Sequence, residues 1–132
     1  MQSRSWPTAA EIADDIRGAL EAGDDISSMR ALMDGTDRLA RAITPDNFDE
    51  ALAQPATIGD ARWDALLTGS LRYRLHQAGH RHLPGWTWKP PLDRFWWPAA
   101  HSPSKAYSDQ AHTPAELMRL GIFLDDREFT TP

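Results

Sequence analysis

Cysteine is absent from all 132 residues, which excludes a disulfide framework and a cysteine-ligated zinc site and leaves no need for an oxidising compartment. Long apolar runs are also missing. The first twenty residues are interrupted by Glu11, Asp14, Asp15 and Arg17, unlike a signal peptide, and no segment approaches the ~18 apolar residues of a membrane span. A soluble, cytoplasmic protein without membrane association is the expectation. A dense basic patch is lacking too. Residues 1–60 carry twelve acidic and five basic side chains, residues 61–132 seven and nine, for a net charge of −5. An acidic half repels phosphate, so duplex DNA binding by this chain alone is not expected. Its acidic face is either simply solvated or meets a basic partner, and only the second case gives salt-sensitive binding.

Catalytic patterns are equally scarce. No glycine-rich phosphate loop and no nucleophile elbow occur. His76 and His80 stand four apart with His82 nearby, a spacing that superficially suits a divalent metal. Gly79 falls between them as a helix stop, and no acidic ligand is close in sequence, so surface histidines are the simpler reading. The adjacent pairs Asp14–Asp15, Asp24–Asp25 and Asp125–Asp126 read as caps or solvated charges, since acid-base work needs two convergent carboxylates. Neither a catalytic residue nor a cofactor is expected.

What the sequence has is helical grammar. The strongest stretch is Gly59 to Leu75, where Asp60 is an N-cap and Trp63, Leu66, Leu67, Ser70, Leu71 and Leu75 recur at the spacing of one buried face. Before it, Thr8 and Glu11 form a capping box that opens a first helix with Ile12, Ile16, Ala19 and Leu20 on its apolar face, and Gly23 closes it. Asp24 or Asp25 starts a second helix carrying Ile26, Met29, Leu32, Met33, Leu39 and Ile43, with a break or kink expected at Gly35. Thr44–Pro45 reads as the start of a short third helix that stops before Pro55. Thr113–Pro114–Ala115–Glu116 repeats the capping grammar for a two-turn helix ended by Gly121, followed by the apolar return Ile122–Phe123–Leu124. Asp125 to Pro132 holds at most a last turn. The fold class expected is all-α: one compact domain over 1–132, with about five short helices. Acidic helices fill 1–56, and a long aromatic, proline-rich loop over 79–112 packs on the central helix.

That loop holds Trp86, Trp88, Trp96 and Trp97, four of the six tryptophans, and shows no helical period. Trp, Tyr and Arg dominate interface hot spots because they combine large contact area with a polar handle. The same rings can plug a core. Trp63, Phe95 and Trp96 are assigned to packing, and Trp86, Trp88, Arg94 and Trp97 are the candidate partner-binding residues. A stack for single-stranded nucleic acid needs a basic groove beside the rings, for which Arg81, Lys89, Arg94 and Lys105 are sparse.

The blocks TIGDARWDALLTGSLRYRLHQAG, PGWTW, PLDRFWWP and HTPAELMRLGIFLDDREF resemble an uncharacterised bacterial domain of antitoxin-like proteins, associated with helix-turn-helix (XRE-type) regulators. The resemblance covers Thr57 to Phe129. Its most specific parts are the start at Asp60, Arg62, Trp63, Asp64 and Leu66, the Asp93–Arg94–Phe95–Trp96 turn, and the end from Thr113 through Gly121–Ile122–Phe123 to Arg127. The resemblance implies a non-catalytic module that binds and neutralises a co-expressed enzyme, such as a nucleotidyltransferase-like toxin. Residues 1–56 lack a basic recognition helix, so autonomous operator reading is not expected. A regulator's accessory domain and, last, a small metal-dependent enzyme using His76, His80 and His82 are the alternatives.

Overall fold

In the computed structural model, which describes residues 4–130, the chain is all-α, with six α-helices and no strand among those residues. Residues 1–3 of the expected loose start and residues 131–132 of the expected last turn lie outside the described residues.

Helix α1, Ala9–Glu21, opens on the expected capping box. The Thr8 hydroxyl accepts from the Glu11 amide at 3.2 Å, and the Glu11 carboxylate accepts from the Thr8 amide at 2.9 Å. That amide, with the Arg4 guanidinium, holds the Glu11 carboxyl below its usual range. Helix α2, Asp25–Ala42, is capped by Asp24, whose side chain accepts from the Ser27 amide at 2.9 Å. It runs through Gly35 without the expected break. A Cβ added at Gly35 would lie 2.8 Å from Ile12 Cγ1, so this glycine lets α1 and α2 approach closely instead of interrupting the helix. Ile12, Ile16, Leu32 and Leu39 are sealed along that seam. Ile26, placed by periodicity on the apolar face, is exposed in the first turn of α2.

The third helix is shorter than its sequence suggests. Thr44 and Asn47 cap each other, the Thr44 amide donating to Asn47 Oδ1 at 2.8 Å, and only Phe48–Ala51 forms α3. Residues 45–47 are a turn, so Pro45 sits in the turn and not in a first helical position. Helix α4, Ala61–Gln77, starts where expected, with Asp60 accepting from the Arg62 and Trp63 amides. Nine of its residues are buried, because α2 lies on one side and the C-terminal helix on the other. Arg74 is the polar peg of this arrangement. It donates to Thr36 Oγ1 at 2.8 Å and to the carbonyls of Met33 and Phe129 at 3.1 Å each, and burial lowers its pKa.

The stretch 79–112 is not one loop. It contains a 3-10 turn, Gly85–Thr87, and a helix α5, Pro103–Ala111, capped by Ser102 with Pro103 in its first turn. Helix α6 covers only Ala115–Met118. Thr113 does not cap it: its hydroxyl accepts from the Leu124 amide at 3.0 Å, fastening the apolar return instead. Gly121 closes the turn with φ +81°, in the left-handed region that favours glycine. Ile122 and Leu124 are fully buried, and a final 3-10 turn spans Asp126–Phe129. One apolar cluster joins Ile12 and Leu32 to Leu66, Leu117 and Ile122, so both halves share a core.

A candidate protein-docking face on the aromatic arm

The segment from Gly85 to Trp97 forms an arm laid along the turn between α6 and the apolar return. Its near end is fixed by Thr87, a buried residue whose hydroxyl donates to the Pro84 carbonyl at 2.7 Å and accepts from Arg72 of α4 at 3.0 Å. Trp86 is half-buried, and its indole Nε1 donates to the Leu52 carbonyl at 2.8 Å. The polar handle of Trp86 is therefore consumed within the molecule, which makes it a prop for the arm and a poor free anchor. The far end is fixed by backbone. Leu92 donates to the Leu120 carbonyl and Trp96 to that of Gly121, each at 2.9 Å, while the Phe123 amide returns a bond to Trp96 at 2.8 Å. These bonds make one isolated parallel bridge between Trp96 and Ile122.

The bridge sorts the rings by side. Trp96 turns inward and meets Trp63 edge-on at 5.6 Å between centroids. Its neighbour Phe95 faces outward and is 69 % exposed, contrary to its assignment to the core. The cause is Gly121: a Cβ there would stand 3.2 Å from Phe95 Cδ1, so the ring lies across the bare backbone of the turn instead of sinking between side chains. Phe95, Phe123 and Trp97 make a ring cluster with centroid separations of 5.0 to 6.3 Å. Trp97 is half-buried, and its Nε1 is buried without a hydrogen-bond partner, a costly state for a donor, on the order of 1–3 kcal/mol.

Trp88, nearer the start of the arm, is 55 % exposed. The guanidinium of Arg119 rests 4.9 Å from the centre of its ring while donating to the Lys89 carbonyl at 2.9 Å. Met118, adjacent to Arg119, is also exposed. Arg94 is exposed and makes no hydrogen bond or ion pair among the described residues. Of the four candidate residues, Trp88 and Arg94 are exposed, Trp97 is half-buried beside Phe95, and Trp86 serves the arm's underside. Phe95 is assigned to packing by the sequence, and Met118 and Arg119 are not singled out by it. The Gly121–Ile122–Phe123 turn was a signal for Phe95, whereas nothing local links Arg119 to a tryptophan thirty-one positions earlier.

No family model, curated protein or solved structure matched the chain. The function of this face must therefore be argued from its own chemistry.

The histidines do not assemble. His76 Nδ1 is 2.7 Å from Glu116 Oε2, bridging α4 to α6, His80 packs on Phe48 at 6.4 Å, and His82 is exposed. Among the described residues no three His, Asp or Glu side chains are grouped to hold a metal ion. The Asp125–Asp126 pair also separates. Asp126 is exposed, while Asp125 is buried and accepts from the Arg127 amide at 2.9 Å and from its guanidinium at 2.6 Å. The Arg127 hydrogen bonds, opposed by burial, hold the Asp125 carboxyl well below the carboxylate range. Asp125 is a structural peg. No helix among the described residues is long and apolar enough to cross a membrane.

Proposed function

We propose that this chain is a non-catalytic, antitoxin-like protein-binding module that docks on a co-expressed partner enzyme through the outer side of its aromatic arm. One observation carries the reading: Trp88 and Phe95 are left more than half exposed by an arm held by side-chain hydrogen bonds at its near end and by backbone hydrogen bonds at its far end. Rings held on a rigid mount lose little entropy on binding, and each offers the area typical of an interface anchor. Arg94 and Arg119 supply the charged rim beside them. The acidic N-terminal half adds long-range steering toward a basic surface, such as the nucleotide cleft of a nucleotidyltransferase-like toxin.

The test is co-expression with the product of the neighbouring gene, followed by titration of the purified pair. Trp88→Ala and Phe95→Ala should each weaken the complex by about tenfold or more, with melting temperatures held near that of the parent chain. If both variants bind as the parent does, the outer side of the arm is not the docking face.

A further inference from the structure

A second feature lies on the opposite side of Trp96. The last turns of α1, the first turns of α2, the loop at Ile58–Asp60 and the arm enclose a cleft of about 620 Å³, with Trp63 and Trp96 in its wall. That volume is within the usual range of ligand sites, about 300–1,000 Å³.

The charges facing the cleft are of two kinds. Its cations are already engaged. Arg17 bonds Asp14 at 2.6 Å and the Thr57 carbonyl at 2.7 Å. Arg62 sits between Asp60 at 3.5 Å and the Trp96 ring at 5.0 Å. Two carboxylates are not engaged. Glu21 and Asp25 are exposed and form no hydrogen bond or ion pair among the described residues. Asp25 begins α2, where the helix dipole favours it. Glu21 ends α1, where the dipole opposes an anion and no basic residue of the last turn offsets it. A cation entering the cleft that both groups line relieves that unfavourable placement. An anion arriving there would have to displace Arg17 from its carbonyl partners. Around the carboxylates, Leu20, Met29 and the two indoles supply apolar wall that suits the methylene stem of a long basic side chain.

We propose that this cleft receives a lysine or arginine side chain from a basic peptide segment of a protein partner. The site is separate from the outer side of the arm, and its occupation does not depend on Trp88 or Phe95 being an interface.

The probe is the acetylated, amidated tetrapeptide Lys-Arg-Lys-Arg, titrated into the full chain and followed by NMR. Amide resonances of Glu21 and Asp25 and the indole N–H resonances of Trp63 and Trp96 should move together. Affinity should fall about tenfold in the E21Q/D25N double variant, whose opposed helix-dipole effects at two exposed positions offset and keep the melting temperature near that of the parent. It should also weaken several-fold as salt rises from about 0.05 M to about 0.3 M. The proposal is overturned if shifts bypass the cleft, or if the double variant binds as tightly as the parent. It is equally overturned if spermidine binds with the same affinity at the same residues, since the cleft would then be a polyamine site and not a peptide receptor. Trp88→Ala tested with the same probe keeps the two surfaces distinguishable: it should bind the peptide normally.

Discussion

The α1–α2 hairpin and the aromatic arm are held in contrasting ways. In the hairpin, Ile12, Ile16, Leu32 and Leu39 are fully buried, and Gly35 brings the two helices into contact through Ile12. The charged groups of the hairpin lie outside that seam in pairs such as Arg17 with Asp14 and Arg41 with Asp37. The arm and the segment after it rely on a few backbone bonds, ring contacts and buried polar pegs. Thr87, Asp109, Thr113 and Asp125 are all buried there. Neither helix of the hairpin carries an aromatic residue, so the seam has no ring to present. The arm carries several, and hydrogen bonds set its position while Trp88 and Phe95 face solvent.

The largest effect should come from cutting the seam. Leu32→Ala removes a side chain with no exposed surface and leaves a cavity between packed helices, at a cost of about 3 kcal/mol. Thermal unfolding should drop by roughly 10 °C, with loss of helix signal throughout, since both halves contribute to one apolar cluster. Loss confined to residues before Gly59 would show that the hairpin and the arm unfold as separate units.

Next in size is the peg. Asp125 accepts from Arg127 and from Ser108 of α5, and its amide donates to the buried Asp109. Asp109 in turn pairs with Lys105, which also reaches Glu128 at 3.0 Å. Burial works against the Lys105 charge, but those two carboxylates outweigh it and raise its pKa. Asp125→Asn weakens this group and should cost about 2 kcal/mol. Because the folded-state pKa of Asp125 is depressed, its contribution is complete above the ordinary carboxylate pKa of about 4 and is lost as pH falls further. Hydrogen exchange on acidification should therefore loosen α5 and the Asp126–Phe129 turn before the hairpin. Equal loosening of both, or an acid response unchanged in the variant, would remove the distinction between seam and peg.

The same distinction explains what could be read from the sequence. The Thr8–Glu11 box, the Asp60 cap and the Gly121 stop are decided within four residues of chain, and each is found where its local pattern points. Gly35 and Thr113 are misplaced because their partners are remote in sequence. Gly35 is a breaker by propensity, but Ile12 of the neighbouring helix makes it a contact point. Thr113 has the composition of a cap, yet Leu124, eleven residues on, takes its hydroxyl. Helix α5 was hidden because Asp109 is its one buried residue, so it shows no apolar stripe, although Ser102–Pro103 carried the same cap-and-proline signal as Thr44–Pro45. At the candidate site the tryptophans were legible as a group. Which ring faces which way was not, because it follows from the two-residue alternation at the Trp96–Ile122 bridge, and that bridge joins segments twenty-six positions apart.

The smallest expected effect is the most discriminating. Trp88 is bulky, but more than half of it is in solvent, and its Arg119 neighbour has a second anchor at the Lys89 carbonyl. An exposed cation–π contact contributes only about 0.5–1 kcal/mol, and removing an exposed ring leaves no internal void. Trp88→Ala should therefore shift stability by no more than about 1 kcal/mol, against about 3 kcal/mol for Trp96→Ala, whose partly buried ring packs edge-on against the buried Trp63. Paired urea titrations measure the difference directly. Similar losses in the two variants would mean that the outer rings are structural members of the arm, and the reason for treating that side as a docking face would be gone.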